Sequence, residues 1–234
     1  MTAHWTSLPL LSVDTETSGV DPATDRIVEA AAVTVAADGT VTDTWCRIID
    51  PGIDIPEDAA NIHGITTDRA RAEGTRPVIA LRELASRLKS HPGAVVLYNA
   101  LFDWPLLRAE AARHGIHDFP GALILDPLVL DRHLDKYRKG QGMRRLTAVC
   151  ELYGVQLSSD DAHGAVADAT AAGQLMWAMV AREPRIASIG LPDLQAWQAR
   201  WSDEQRLDFA AWKRRSEPDF DEPLGWPLPE ASAA

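Results

Sequence analysis

Three β-rich runs within the first fifty residues constrain the fold of this chain more than any other feature. The apolar run LLSVDTETSG (residues 10–19) is typical of a buried strand, here ending near Asp14. Two further runs lie between Arg26 and Asp50 and are separated by Asp38-Gly39. Because Asp-Gly between β-rich runs is a strong signal for a tight hairpin, we predict three adjacent strands, at least two of them antiparallel.

Helix and strand patterns alternate after this hairpin. Apolar residues at helical spacing predict helices, and short apolar runs bounded by turn residues predict strands. The order βββαβαβαα predicts an α/β fold with a mixed five-stranded sheet flanked by helices, over residues 6–182. The predicted elements are helices over 75–90, 106–115, 146–153 and 165–180, and strands over 94–99 and 122–126.

The remainder of the chain has a different character. Residues 183–216 form a predicted helical C-terminal extension, in which Leu194, Trp197 and Trp201 share one helix face. We expect this face to pack on the domain; a surface for docking a partner protein is the alternative. Residues 217–234 carry four prolines and several acids, a composition that predicts disorder.

Composition excludes several classes of protein. The formal net charge of −11 argues against nonspecific binding to duplex DNA, which requires clustered cations. It leaves open an enzyme that concentrates carboxylates around divalent metals. Cys46 and Cys150 lie far apart and form no CxxC motif, which argues against a disulfide framework or a zinc site.

The sequence also lacks the signals of membrane insertion or export. No apolar run approaches the roughly 18–20 residues that a membrane-spanning helix needs. The first residues carry neither a basic segment nor a long apolar stretch, so we expect no signal peptide. We therefore expect a cytoplasmic protein with no membrane partner.

Two carboxylates stand at the end of the first predicted strand. Asp14 and Glu16 are two residues apart, so in a strand their side chains point to the same face of the sheet. Ligand and catalytic sites of α/β proteins tend to lie at this edge. Carboxylates this close repel each other and resist desolvation unless a cation lies between them, which makes the pair a candidate metal site.

Further motifs follow this pair in a characteristic order. Asp14-Thr15-Glu16 follows the first strand, residues 99–103 (NALFD) follow the fourth, and residues 163–168 (HGAVAD) open the last predicted helix of the domain. The segment 61–66 (NIHGIT) lies between the first two. In this order and at these places they resemble the motifs of the DEDDh (DnaQ-like) 3′–5′ exonucleases, which include the proofreading epsilon subunit of bacterial DNA polymerase III. The resemblance covers residues 8–180.

The resemblance implies an RNase H-like fold and a site for two divalent ions, Mg²⁺ or Mn²⁺. It implies that Asp14, Glu16 and Asp168 bind the first ion, that Asp14 bridges to the second ion, and that Asp103 supports the second ion. His163 is implied as the general base that takes a proton from the attacking water. Two metals can both activate water and stabilise charge in phosphodiester hydrolysis, and histidine titrates near neutral pH.

The resemblance also implies a set of substrate-binding residues. Ile62 is expected against the terminal base, His63 near its sugar, and Thr17 near the 3′-hydroxyl group. Asn99 and Phe102 of the second motif complete this set. A purely structural role for the 61–66 loop is the alternative.

Helix geometry refines two of these assignments. His163 and Asp168 are five residues apart, which is about 140° around a helix, so both cannot lie on one face. We therefore expect His163 on the loop before the helix and Asp168 in its first turns. Pro105 would break a helix begun at Asn99, which favours a helix that starts at Asp103 with that carboxylate as its N-cap.

The chain contains one concentrated basic stretch. Arginine, lysine and histidine predominate between Asp131 and Arg145, around a Gly140-Gln141-Gly142 centre that suggests a flexible loop. One interpretation is a flank that contacts the phosphates of a single strand beside the metal site. The other is a solvated charged loop.

These observations predict a metal-dependent 3′–5′ exonuclease that releases nucleoside 5′-monophosphates from single-stranded or frayed DNA ends, in proofreading or repair. An RNA exonuclease of the same family is an alternative, since the sequence does not show how a 2′-hydroxyl group would be treated. A non-catalytic accessory module that docks a DNA polymerase subunit is a second alternative.

Overall fold

The computed structural model describes residues 4–157 and 164–229. A short 3₁₀ helix (Trp5–Ser7) is followed by β1 (Leu10–Thr17), β2 (Ile27–Val35) and β3 (Val41–Ile48). The elements after them are α1 (Glu57–His63), α2 (Thr67–Glu73), α3 (Pro77–Ser90), β4 (Val95–Val96), α4 (Ala100–Arg113), β5 (Ile124–Leu125), α5 (Pro127–Leu134), α6 (Leu146–Tyr153), α7 (Ala165–Arg182), α8 (Pro184–Ala187) and α9 (Leu191–Lys213).

In the part of the chain that is described, the strands form a five-stranded sheet in the order β3-β2-β1-β4-β5. β1 pairs with β2, and β2 with β3, in antiparallel register, whereas β1, β4 and β5 run parallel to one another. The predicted mixed sheet flanked by helices is confirmed, including the hairpin at Asp38-Gly39. The parallel strands bring their carboxyl ends to one edge of the sheet, where segments that follow β1, β4 and β5 meet.

Helices cover both faces of this sheet, because β1 carries buried apolar residues on both of them. Leu11 and Val13 belong to a core that includes residues of α3 and α4, whereas Leu10 on the opposite face belongs to a core that includes residues of α6 and α7. α7 approaches the strands closely, because a Cβ atom added at Gly173 would lie 2.7 Å from a methyl carbon of Val35. The small residues of α7 therefore set how near the helix lies to β1 and β2.

The start of α4 differs from the sequence-based expectation. The helix begins at Ala100, not Asp103, and Pro105 lies inside it. Asp126, at the end of β5, accepts hydrogen bonds from the backbone N–H groups of Asn99 (3.1 Å) and Ala100 (2.9 Å). The same carboxylate caps α5 by accepting the N–H of Leu128 at 2.9 Å. Because Asp126 satisfies the first N–H groups of α4, Asp103 is not the N-cap and lies in the first turn.

The predicted C-terminal extension packs against the sheet edge formed by β5. The side-chain oxygen of Gln198 accepts the Asp126 N–H at 2.7 Å, and its amide nitrogen donates to the Ile124 carbonyl at 3.1 Å. Gln195 accepts the N–H of Ile124. α9 thereby satisfies backbone groups that an edge strand would otherwise expose.

Composition predicts disorder after residue 216, but residues 217–229 lie along α9. Trp226 is 7% exposed and belongs to the core cluster of α3 and α4, while Phe220 contacts Phe209 edge to face. The Gly225 N–H donates to the Asp203 carboxylate at 2.9 Å. The two aromatic side chains supply the apolar area that the prolines and acids of this segment lack.

Within residues 4–157 and 164–229, every helix is too short or too polar to cross a lipid bilayer.

Candidate active site

Three carboxylates converge at the carboxyl edge of the sheet. Asp14 and Glu16 project from the same face of β1, and Asp168 projects from the first turns of α7. One oxygen from each lies within 4.8 Å of the others. The three side chains are half-buried. Carboxylate oxygens at this separation form a donor set suited to a hard divalent cation such as Mg²⁺ or Mn²⁺.

A fourth carboxylate, Asp103 on α4, lies beside this group of three but outside it. Asp103 is 3% exposed, and its Oδ1 atom accepts hydrogen bonds from the Thr15 N–H at 3.1 Å and the Thr15 hydroxyl at 2.6 Å. Thr15 lies between Asp14 and Glu16 on β1, so these bonds tie α4 to the strand that carries two of the three carboxylates. The other oxygen of Asp103 accepts no hydrogen bond from a described residue.

Mutual repulsion and burial shift the titration of these groups. Burial, followed by the charges of Asp103, Asp168, Glu16 and Glu29, holds the pKa of Asp14 well above its ordinary value. Burial, and then Asp168, raises the pKa of Glu16 to about 8. Burial also raises the pKa of Asp103 to about 7, although the Thr15 hydrogen bonds oppose the shift. A site that resists ionisation by itself is one that a cation would stabilise.

Glu29 on β2 is a member of this acidic group that the sequence analysis missed. It lies directly opposite Glu16 in the antiparallel register, and its charge raises the pKa of both Asp14 and Glu16. Its Oε2 atom accepts the N–H of Ala165 at 3.1 Å, at the start of α7. Glu29 therefore holds the helix that carries Asp168, with its negative charge at the favourable end of the helix dipole.

Thr17 and His63 lie next to each other beside the end of β1. The Thr17 hydroxyl donates to the Gly19 carbonyl at 2.6 Å. His63 is the last residue of α1, and its Nδ1 atom accepts the N–H of Ile65 at 3.1 Å. Burial lowers the pKa of His63, opposed by the neighbouring Thr17 backbone. Ile62 is 59% exposed, which leaves an apolar side chain facing solvent next to His63.

Asn99 and Phe102 lie at the start of α4 and line a groove beside the site. Asn99 adopts a left-handed backbone conformation, with φ of 69°, at the turn between β4 and α4. Asparagine tolerates this region better than most residues, and such strained positions often occur at functional sites. The structure thus brings Thr17 of β1 and His63 of α1 together, and places Asn99 and Phe102 together at the start of α4. The predicted base, His163, lies outside the described residues.

The basic stretch is held in place by its own ion pairs, not left as a flexible loop. Asp131 on α5 is fully buried and pairs with both Arg138 and Arg144. The hydroxyl of Tyr98, which follows β4, donates to the Arg144 carbonyl at 2.7 Å. Arg132, Lys136 and Lys139 form no ion pair with any residue among 4–157 and 164–229.

A family model described as exonuclease (RNase_T) matches residues 11–176, which include the carboxylates on β1, α4 and α7. The chain is 33% identical over 167 residues to the PolC-type DNA polymerase III of Lacticaseibacillus paracasei, a match that covers 71% of this chain and 11% of that protein. It is 31% identical over 172 residues to the epsilon subunit of DNA polymerase III from Rickettsia felis, with 70% of each chain covered. The chain thus spans about a tenth of the length of the PolC-type relatives that it matches.

Solved structures share the fold. Exonuclease I of E. coli, in complex with a dT13 oligonucleotide, superposes with a TM-score of 0.65 at 23% identity, covering 76% of this chain and 42% of that chain. This likeness confirms the expected RNase H-like architecture. Together with the family match over residues 11–176 and the identity to the epsilon subunit, it means that the chain belongs to the DnaQ-like exonuclease family.

Proposed function

We propose that this protein is a metal-dependent 3′–5′ exonuclease that hydrolyses the terminal phosphodiester bond of single-stranded or frayed DNA and releases nucleoside 5′-monophosphates. The observation that carries the proposal is the convergence of Asp14, Glu16 and Asp168, with oxygens within 4.8 Å and the pKa of Glu16 raised to about 8. Such a cluster opposes folding unless it serves a bound cation.

The donor set fits two divalent ions, Mg²⁺ or Mn²⁺. Asp14, Glu16 and Asp168 would hold the first ion. Asp14 would share the second ion with the oxygen of Asp103 that Thr15 does not engage. Bound there, the ions would supply a water nucleophile that ionises near neutral pH and would stabilise charge on the attacking and leaving oxygens.

The surrounding residues take the roles of positioning and proton transfer. His163 precedes α7 in the sequence and serves as the general base for the attacking water. Thr17 and His63 hold the terminal sugar and its 3′-hydroxyl group, and Ile62 contacts the terminal base. Asn99 and Phe102 contact the strand on the side of the groove. Replacing His163 by Ala is expected to reduce turnover about 10²–10⁴-fold, with metal binding retained.

DNA is the favoured substrate because relatives named for DNA polymerase III match the chain, and because exonuclease I has been solved with a DNA oligonucleotide. The same relatives support association with a DNA polymerase subunit. RNA is the alternative substrate.

The test is degradation of matched 5′-labelled single-stranded DNA and RNA oligonucleotides with Mg²⁺, Mn²⁺ or EDTA. We expect a ladder that shortens from the 3′ end only with metal, and that Asp168→Asn abolishes. The ratio of the DNA rate to the RNA rate identifies the substrate. A ladder from the 5′ end, or one that persists in EDTA, would contradict the proposal.

The accessory-module alternative makes a different prediction for metal binding. A functional site gains stability from Mn²⁺ by mass action, about 2.7 kcal/mol at a concentration one hundred times Kd. A folded protein that cleaves neither substrate and shows no Mn²⁺-dependent rise in Tm would favour the non-catalytic module.

A further inference from the structure

A long groove runs from the start of α4 between the basic stretch and the C-terminal helix α9. Its volume is about 1320 Å³, larger than the roughly 300–1,000 Å³ typical of pockets for single small molecules. Asn99 and Phe102 lie on its wall, so the groove is continuous with the second motif of the candidate active site. Its size and open form suit an extended ligand that reaches this site.

Charge in the groove is opposite to that of the whole protein. Seven arginine and lysine side chains line it against two carboxylates, in a chain with a net charge of −11. One of the two carboxylates, Glu222, is paired with Arg206 at 2.9 Å. Lys136 and Lys139 pair with no acid in the described part of the chain. The groove is therefore complementary to a polyanion.

The opposite wall, formed by α9, supplies exposed aromatic rings. Trp212 is 58% exposed and Phe209 is 45% exposed, with ring centroids 5.8 Å apart. Both side chains line the groove, and neither belongs to the buried face of α9. Free bases stack on such rings, and cations interleaved with aromatic rings are the usual means of holding single-stranded nucleic acid.

α9 is fixed well enough to serve as a binding wall. Gln198 bonds to both backbone groups at the β5 edge, and Gln205 donates to the Val129 carbonyl at 3.1 Å. The segment after the helix packs back on it through Phe220, which meets Phe209. A wall held this way loses little conformational freedom when a ligand binds.

We propose that α9 and residues 132–144 together bind the single strand on the 5′ side of the scissile phosphate. Lys136 and Lys139 contact its phosphates, and Trp212 and Phe209 stack on its bases. This inference rests on the proposed exonuclease function in one respect, the direction of the strand: the 3′ end of the bound strand points towards the carboxylates. It assigns the C-terminal helix to substrate binding rather than to packing alone.

The test measures binding and cleavage separately in the 234-residue chain. Fluorescence anisotropy of 5′-labelled DNA strands of two to twelve nucleotides, in EDTA, reports binding without hydrolysis. The wild-type affinity should rise with strand length and reach a plateau when the groove is filled. The double variant Phe209→Ala, Trp212→Ala should lose at least about tenfold in affinity for the longest strand, since one stacked base contributes roughly that factor or more.

Trp197→Ala is the matched control, because Trp197 lies on the same helix with 44% exposure but does not line the groove. It should keep the wild-type length dependence. Equal affinity and length dependence in the double variant and the wild type, or an equal loss in the Trp197 variant, would overturn the proposal and favour a protein partner for this surface. Length-dependent binding without metal-dependent cleavage would instead contradict the exonuclease function and leave the groove assignment intact.

Discussion

The carboxylates around β1 and the basic stretch after α5 are two regions of the molecule that each concentrate charge of one sign. At the first, Asp14, Glu16 and Asp168 face one another, with no cation from the described side chains paired to Asp14 or Glu16. At the second, Arg138 and Arg144 share the buried carboxylate of Asp131. Two arginines of the basic stretch are thus paired with a buried acid, whereas Asp14 and Glu16 have no paired cation among the described residues.

The acidic cluster is suited to binding a ligand, a metal cation, whereas the ion pairs of Asp131 stabilise the fold of the loop. We expect Asp14 and Glu16 to lower the stability of the metal-free protein at neutral pH, because burial and repulsion raise the pKa of both groups. The Asp131 pairs place the loop backbone so that Lys136 and Lys139 extend into the groove. Removing an acid should therefore have opposite effects on stability at the two places.

The largest effect is expected for activity at the acidic cluster. Asp14→Ala should lower the rate of 3′-end degradation by at least about 10³-fold, because several kcal/mol of charge stabilisation depend on the ions it holds. The metal-free protein should be as stable as the wild type or more stable, since one repelling charge is gone. An activity assay and urea denaturation in EDTA measure the two quantities. A variant less stable than the wild type would contradict the view that the acidic cluster lowers stability.

The opposite result is expected at the basic stretch. Asp131→Asn should lower the free energy of unfolding by about 3 kcal/mol, because removing the acid from a buried pair leaves two arginines uncompensated. Urea denaturation measures this loss. Asp208→Asn is the matched control, an acid at the groove with no ion pair among the described residues, and it should change stability by less than about 0.5 kcal/mol. Equal stability of the two variants would show that Asp131 does not hold the loop.

The pH dependence of stability provides the next test. Burial, and then Asp168, raises the pKa of Glu16 from 4.5 to about 8, so between these values the folded metal-free protein binds more protons than the unfolded chain. Its stability should therefore fall as pH rises from 5 to 8, with Glu16 contributing on the order of 3 kcal/mol. Glu16→Gln should flatten this slope in urea denaturation in EDTA. Slopes that are parallel in variant and wild type would contradict the shift.

Much of the fold could be predicted from sequence because its signals are local. The Asp-Gly hairpin, the apolar run of β1 and the helical spacing of apolar residues in α6 each depend on a few neighbouring residues. Asp14 and Glu16 were found as a pair because period-two geometry places both on one face. Linking them to Asp168 required the family resemblance, since no local rule brings β1 and α7 together.

The features that were missed depend on contacts between distant segments. Glu29 joins the acidic group only because the antiparallel register puts it opposite Glu16. A lone carboxylate in the apolar run of β2 is the signal that could have revealed it. The start of α4 is set by Asp126, and the packing of α9 by Gln195 and Gln198, none of which periodicity detects.

The smallest expected effect concerns the two lysines of the groove that no described acid neutralises. Lys136→Ala with Lys139→Ala should weaken binding of a twelve-nucleotide strand and reduce the slope of log affinity against log salt by about 1.4, or about 0.7 for each phosphate that a lysine no longer neutralises. Arg185→Ala is the control, because its side chain is 94% exposed and lies away from the groove. An unchanged slope would mean that the two lysines are solvated charges that bind no phosphate. The basic stretch would then differ from the acidic cluster only in the buried ion pairs of Asp131.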